Sequence, residues 1–158
     1  MAKIIEESGM KILADNRKAR FNYTVEEKFE AGIELKGTEV KSIRSGKFSF
    51  ADSYARVINS ELILCSFHIS AYEFASIFNH DPDRDRKLLV HKREIKRLQR
   101  KIDEKGYTLV PLKVYLKRGI VKFEIGICKG KKTHDKRDAI KNRDLKRDAE
   151  REMRDRLR

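Results

Sequence analysis

From Phe21 onward the apolar side chains fall on alternate positions: Phe21, Tyr23, Val25, Phe29, Ala31, Ile33 and Leu35, with only Glu27 out of step. A period of two places them on one face of a long strand, or of a bent pair of strands. Gly37 ends the run, and Thr38 stands where it can cap a short helix over residues 39–44, with Gly46 just past its end. The apolar stripe of that helix is only Val40 and Ile43, enough to plug the end of something larger. Residues 55–58 and 61–68 are again strand-like, and Asn59-Ser60 between them predicts a hairpin turn. A polar loop follows over residues 79–85.

Over residues 87–105 the period lengthens. Ile95, Leu98 and Ile102 form one stripe, Lys92, Arg93, Lys96, Arg97, Arg100 and Lys101 cover the remainder, and Gly106 ends the segment. This predicts an amphipathic helix of about four turns. Two more strands follow. Residues 107–116 contain Pro111, which argues for an edge or a bend. In residues 119–128, Val121, Phe123, Ile125 and Ile127 alternate with Lys122, Glu124 and Gly126. Residues 1–20 hold no sustained periodicity and read as an arm that packs locally or is mobile. Short strands, turn signals and two helices predict a mainly β fold with peripheral helices, an OB-like antiparallel β-barrel. A chain of 158 residues is short for two ordinary domains. One barrel with its N-terminal arm is therefore expected over residues 1–128.

The character of the chain changes at Lys129. Residues 129–158 carry 13 Lys/Arg and 7 Asp/Glu and no aromatic residue, so they cannot bury enough apolar surface to order themselves. Yet Leu145, Ala149, Met153 and Leu157 recur every four residues among good helix formers. The expectation is a basic tail, disordered when free and helical when bound.

Charge narrows the function. Lys and Arg exceed Asp and Glu by 38 − 25 = 13, which suits RNA, DNA or an anionic membrane. No apolar run approaches the roughly 18 residues a membrane span needs, and the N-terminus has no secretory apolar region; a soluble, cytoplasmic protein is expected. Cys65 and Cys128 each sit in an apolar alternating stretch, where a buried thiol is the common finding. His68, His80, His91 and His134 form no zinc-site spacing with them, so neither metal nor cofactor is expected. There is no nucleophile elbow, phosphate loop, two-His metal motif or dinucleotide turn. The string GICKGKK at 126–132 follows the last strand and lacks the G-K-[ST] ending of a phosphate loop. Binding without catalysis is the expectation.

Three basic clusters could carry it. Asn16, Arg17, Lys18 and Arg20 lead into Phe21 and Tyr23, where cations can hold phosphates while an amide or a ring meets base or ribose; the same spacing suits a solvated arm. Arg84, Arg86, Lys87 and the basic helix face suit a polyanion or plain solvation equally. Residues 130–137, GKKTHDKR, open the tail as a charge-dense polyanion arm. Glu30 is the odd feature, on the even, outward face of its strand. A carboxylate there is ordinarily just solvated, yet beside cations it can accept hydrogen bonds from base amino groups or a 2′-OH. Spacing does not decide between the two.

The strings NRKAR (16–20), FEAGI (29–33), GTEVKSIR (37–44), ADSY (51–54), RKLL (86–89), YTLVPL (107–112), GKK (130–132) and DKR (135–137) occur in one order along nearly the whole chain. Together they resemble the tmRNA-binding protein family, the SsrA-binding or small protein B family. The resemblance implies an OB-like barrel with a C-terminal tail. It also implies two partners, the tRNA-like domain of tmRNA, gripped at its shortened D-arm and elbow, and the ribosome. By that resemblance Asn16 and Glu30 contact tmRNA, with Arg17, Lys18, Arg20 and Tyr23 flanking the surface. Lys129, Lys131, Lys132, His134, Asp135, Lys136 and Arg137 fall in the stretch that monitors the empty mRNA channel near the decoding centre of the small-subunit rRNA. Delivery of tmRNA to stalled ribosomes by a non-enzymatic, cytoplasmic monomer is the implied function. Phe21-Asn22 depart from the His/Asp-type pair often found before the tyrosine. The rival readings are a general OB-fold binder of single-stranded RNA, which relies on exposed stacking aromatics, and an RNA-modifying enzyme, for which no catalytic cluster is visible.

Overall fold

Six antiparallel strands close into a ring in the computed structural model, which describes residues 9–75, 77–104 and 106–157. In ring order they are Tyr107–Lys117 (β8), Tyr54–Ile58 (β4), Glu61–Cys65 (β5), Arg86–Leu89 (β7), Tyr23–Ile33 (β2) and Ile120–Gly130 (β9), which pairs back onto β8. A further strand, Met10–Asp15 (β1), lies along the same edge of β8 as β4, paired with residues Lys113 to Lys117. Phe48–Ser49 (β3) and His68–Ile69 (β6) form a separate two-stranded patch. The helices are Arg17–Asn22 (α1), Gly37–Arg44 (α2), Lys92–Asp103 (α3) and Thr133–Arg156 (α4). This is the mainly β, OB-like barrel with peripheral helices that the periodicity predicts. The hairpin at Asn59-Ser60 is also present, with φ of 50° and 60°, the doubly left-handed turn that matches strand twist.

The barrel interior is filled by Ala31, Leu62, Leu64, Phe67, Leu88, Leu109, Val114, Phe123, Ile125 and Ile127, closed at the ends by Ile43 of α2 and Leu98 of α3. A second, smaller core lies outside the ring: Ala19 of α1 covers Val110, Leu112 and Cys128, with Tyr23 and Val25 beside them. Two bulges divide the faces this way. In β2 the register shifts between Val25 and Glu27, so that Tyr23 and Val25 face α1 while Phe29 and Ala31 point inward. Glu27, out of step in the sequence, is therefore at the barrel rim, where it accepts from Arg97 of α3 at 2.9 Å. Gly126 makes the second core possible, because a Cβ there would stand 2.7 Å from Leu112 Cδ1 and 3.0 Å from Cys128 Sγ.

Several sequence expectations change or narrow. Residues 10–15 and 17–22 are β1 and α1 rather than an unpatterned arm; the part of that expectation covering residues 1–8 lies outside the described residues. Phe21 belongs to α1, not to the strand. Residues 86–89 are a strand inserted between β2 and β5, so α3 begins only at Lys92; the pairing that makes β7 is long-range and leaves no local period. Pro111 sits in β8, which has neighbours on both sides. It is tolerated because the β8–β9 register shifts between Pro111 and Lys113, and because Asn16 engages the opposite side.

At one end of the barrel a buried charge cluster anchors α2. Thr38 is not its cap: its hydroxyl meets His80 Nδ1 at 2.8 Å, and the helix start is closed by Glu39, whose carboxylate accepts from the Lys36 backbone N–H at 2.8 Å. Glu39, wholly buried, also accepts from Arg84 Nε and Arg86 Nε, each at 2.7 Å. Arg86 is fully buried too, and donates to the carbonyls of Phe67 and Pro82 at 2.6 and 3.1 Å. Burial pushes the Glu39 carboxyl upward, but the donors from Arg84, the Lys36 backbone and Arg86 outweigh it and hold the pKa at about 2. Arg84 and Arg86 are thus structural, and Lys87 pairs with Glu61 at 2.8 Å. Of the second basic cluster, Lys87 and the α3 face are left open to a polyanion.

Candidate nucleic-acid interface

Helix α1 exists because Asn16 builds it. The Asn16 side-chain oxygen accepts from the Ala19 backbone N–H at 3.1 Å, while its amide donates to the Pro111 carbonyl at 2.9 Å and its own backbone N–H donates to the Leu112 carbonyl at 2.7 Å. An asparagine at this position caps a helix, and here it also fills the gap that the β8 bulge leaves. Asn16 is only 6% exposed. In this structure it positions the surface more than it presents a contact. Arg17 is exposed, and Lys18 reaches Asp52 at 2.9 Å with both side chains in solvent. Arg20 bonds Asp15 at 3.1 Å and approaches Glu124 at 3.8 Å. Tyr23 lines a concavity of about 190 Å³ shared with Asn16, Lys18, Asn22, Asp52 and Tyr54.

Glu30 lies on the same outer face, directly opposite Glu124 across the β2–β9 pair, so a short chain of side chains connects it to Arg20. It is not a loose surface acid. The Tyr115 hydroxyl donates to it at 2.6 Å and Lys117 Nζ at 3.2 Å. The Tyr115 bond is the main influence lowering its pKa; partial burial opposes it, and Lys117 and Lys122 assist. The result is an oriented carboxylate, 39% exposed, at the edge of a depression shared with Gly32, Leu89, His91, Glu94 and Lys122. A fixed acceptor with Lys117 and Lys122 near it and an exposed Leu89 beside it can meet a donor edge of a nucleotide while the lysines meet phosphates. Tyr115, Lys117, Lys122 and Leu89 were not singled out in the sequence. Cross-strand pairing creates their relation, and the alternation of Lys122 and Glu124 with the buried residues of β9 was its one trace.

The remaining predicted site residues lead away from this face. β9 runs on to Gly130, still paired with Tyr23. Lys129 sets its ammonium 5.6 Å from the Tyr107 ring centre. Lys131 donates from its backbone to Asn22 and from Nζ to the Arg20 carbonyl, at 3.0 and 3.2 Å, so the last fixed point of the chain before α4 is α1 itself. Lys132 lies in the link, and its backbone N–H donates to Asp135 at 3.3 Å. His134 pairs with Asp138 one turn on at 3.0 Å, and Lys136 and Arg137 stand on the first turns of α4. None of the described residues in this 24-residue helix is buried. Arg143 over the Phe21 ring at 5.7 Å is a contact back to the barrel.

Neither cysteine offers chemistry: both are buried and free, and burial pushes the Cys128 thiol up to about 11. Among the described residues no group of His, Cys, Asp and Glu could hold a metal, and no helix is long and apolar enough to cross a membrane.

A closed OB-like barrel with an oriented carboxylate among cations on one outer face defines a nucleic-acid-binding class of protein. The chain belongs to the SmpB protein family, whose sequence profile matches residues 13–155. It is 60% identical over 149 residues to the SsrA-binding protein of Treponema denticola, covering 94% of this chain and 97% of that one. It is 54% identical to the SsrA-binding protein of Caldicellulosiruptor saccharolyticus over the full length of both. A solved chain from "tmRNA-SmpB: a journey to the center of the bacterial ribosome" superposes with a TM-score of 0.66 at 49% identity, covering 80% of this chain and 93% of that one.

Proposed function

We propose that this protein binds the tRNA-like domain of tmRNA through the outer face of its barrel and delivers it to stalled ribosomes in the cytoplasm, without catalysing a reaction. The observation that carries this is the Glu30 carboxylate, held charged and aimed by Tyr115 and Lys117 on the face that also bears Arg17, Lys18 and Arg20. Its membership of the SmpB family, and its likeness to SsrA-binding proteins and to a chain solved with tmRNA, support the same reading. Cations alone would bind any polyanion; a fixed acceptor among them rewards a particular shape.

The tail has a separate role in this proposal. The tail beyond Lys131 is disordered in the free protein and becomes helical along the empty mRNA channel, bringing Lys132, His134, Asp135, Lys136 and Arg137 to the decoding centre beside Lys129 and Lys131, which the barrel already holds. Ordering costs about 1–2 kcal/mol per residue, offset only where rRNA phosphates can be contacted, so an occupied channel excludes it.

The test is binding to the isolated tRNA-like domain beside ordinary tRNA, for the full chain and for residues 1–132. Both forms should select the tRNA-like domain, and only the full chain should support rescue of a stalled ribosome. Loss of RNA binding in the shortened form would show that the two roles are not divided this way. Glu30→Ala should weaken binding to the tRNA-like domain; unchanged affinity would make Glu30 an ordinary solvated acid.

A further inference from the structure

Among the described residues, the most exposed cluster of large apolar side chains on the folded part of the chain lies in the loop after β6, far from Glu30 in sequence. Phe74, Ile77 and Phe78 are 82%, 94% and 87% exposed. Three side chains of this size left in water would ordinarily fold back onto the surface.

The base of the loop is itself held by hydrogen bonds. Asn79 clamps Tyr72 from both sides, its side-chain oxygen accepting from the Tyr72 backbone N–H at 3.2 Å and its amide donating to the Tyr72 carbonyl at 3.0 Å. His80 is buried and ties the same loop to Thr38 and to the Ile69 carbonyl, at 2.8 and 2.9 Å. Tyr72 meets Phe74 edge to face with ring centres 5.7 Å apart. The apolar tip is thus carried on a polar clasp. Cations flank it: Lys41 Nζ stands 5.2 Å from the Tyr72 ring centre, and Lys47 pairs with Glu73.

We propose that this loop is a second RNA-binding site, a platform on which Phe74 and Phe78 stack unpaired nucleobases while Lys41 and Lys47 meet the adjoining phosphates. Protruding rings beside lysines are the chemistry of sequence-tolerant single-strand binding, in which any base supplies a π-face. The chain's net charge of +13 draws a polyanion to it. Ile77 adds apolar contact to the base edge. The inference does not rest on recognition of the tRNA-like domain.

The experiment compares the full chain with the double variant Phe74→Ala/Phe78→Ala, and with Glu30→Ala as a control for the other face. Each is titrated with an unstructured RNA of about a dozen nucleotides, with a blunt RNA duplex of equal length, and with vesicles of anionic phospholipid. The thermal midpoint is recorded as a check on folding, which exposed side chains should leave unchanged. Stacking predicts that the double variant loses on the order of tenfold or more in affinity for the unpaired RNA, with little change for the duplex, while Glu30→Ala retains its binding to that oligonucleotide. Equal affinity of the parent and the double variant for unpaired RNA overturns the proposal. A loop-dependent attachment to vesicles, or loop-dependent self-association, with no change in RNA affinity overturns it as well, and assigns the tip to a lipid surface or to a second copy.

Discussion

Asn16 ties α1 to β8 through one side chain, just past the end of β1, and its removal should be felt as lost structure before lost contact. Asn16→Ala forfeits the cap of α1 and leaves the Pro111 carbonyl without its donor, at a combined cost of about 1–3 kcal/mol, measurable as a lower urea midpoint. Asn16→Asp keeps the cap but turns a buried carboxylate oxygen toward the Pro111 carbonyl, and should cost at least as much as Asn16→Ala. Glu30 is the opposite case, a residue whose removal should spare the fold. Its pKa is lowered chiefly by the Tyr115 hydroxyl, so its charge persists below the ordinary carboxylate range. Binding of the tRNA-like domain should therefore survive mild acid. In Tyr115→Phe the carboxyl pKa rises, and the acid limb of a binding titration should move to higher pH; an unmoved limb would separate Glu30 ionisation from binding.

At the scale of elements, the Glu39 cluster determines how α2 is held. The folded pKa of about 2 lies below the ordinary 4.5, so its contribution is fully present above about pH 4.5 and is lost as the pH falls toward 2. Urea midpoints measured across that window should decline steeply in the parent and more gently in Glu39→Gln, which starts lower because Arg86 is left buried without its counter-charge. Gly126→Ala tests the second core. The added methyl must displace Leu112 or Cys128, a cost of about 1–3 kcal/mol, and should loosen α1 first, seen as faster amide exchange at Ala19 and Arg20 than in the barrel strands. The strands with a clean alternation, β2 from Phe29 onward and β9, were legible in the sequence because one face of each is buried along its length. β1 and β7 were not, since each is short and its partners lie far along the chain. The cap at Asn16 was legible in principle, as an asparagine followed by helix formers, but six residues of α1 are too few to show a period. Glu30 could be suspected as an acid on an outward face, while its orientation depends on Tyr115, which is distant in sequence.

For the whole molecule, the contrast is between a barrel with a dense interior and a helix none of whose described residues is buried. If the tail is ordered only on the ribosome, backbone amides of residues 133–156 should exchange with solvent at rates near those of an unstructured chain, while those of β9 up to Gly130 stay protected. Equal protection on both sides of Lys131 would mean a helix already formed in free solution. The charge pattern made the change of character at Lys129 visible. It did not reveal that the strand continues to Gly130 or that Lys131 is fastened to α1, because both depend on where Tyr23 and Asn22 come to lie.

Ring closure also sets when this protein can fold during its own synthesis. β9 is the last strand to emerge, and it alone bridges β2 to β8; until it is made, both of those strands have bare edges, and although it meets β8 in a local hairpin, its pairs with β2 span most of the chain. Long-range antiparallel pairing is slow, and open strand edges invite association. A nascent chain that stops before Ile120 therefore carries two long sticky edges and no closed core. The barrel is acquired late and nearly all at once, so a prematurely ended copy lacks the closed ring altogether rather than being a weaker version of the protein.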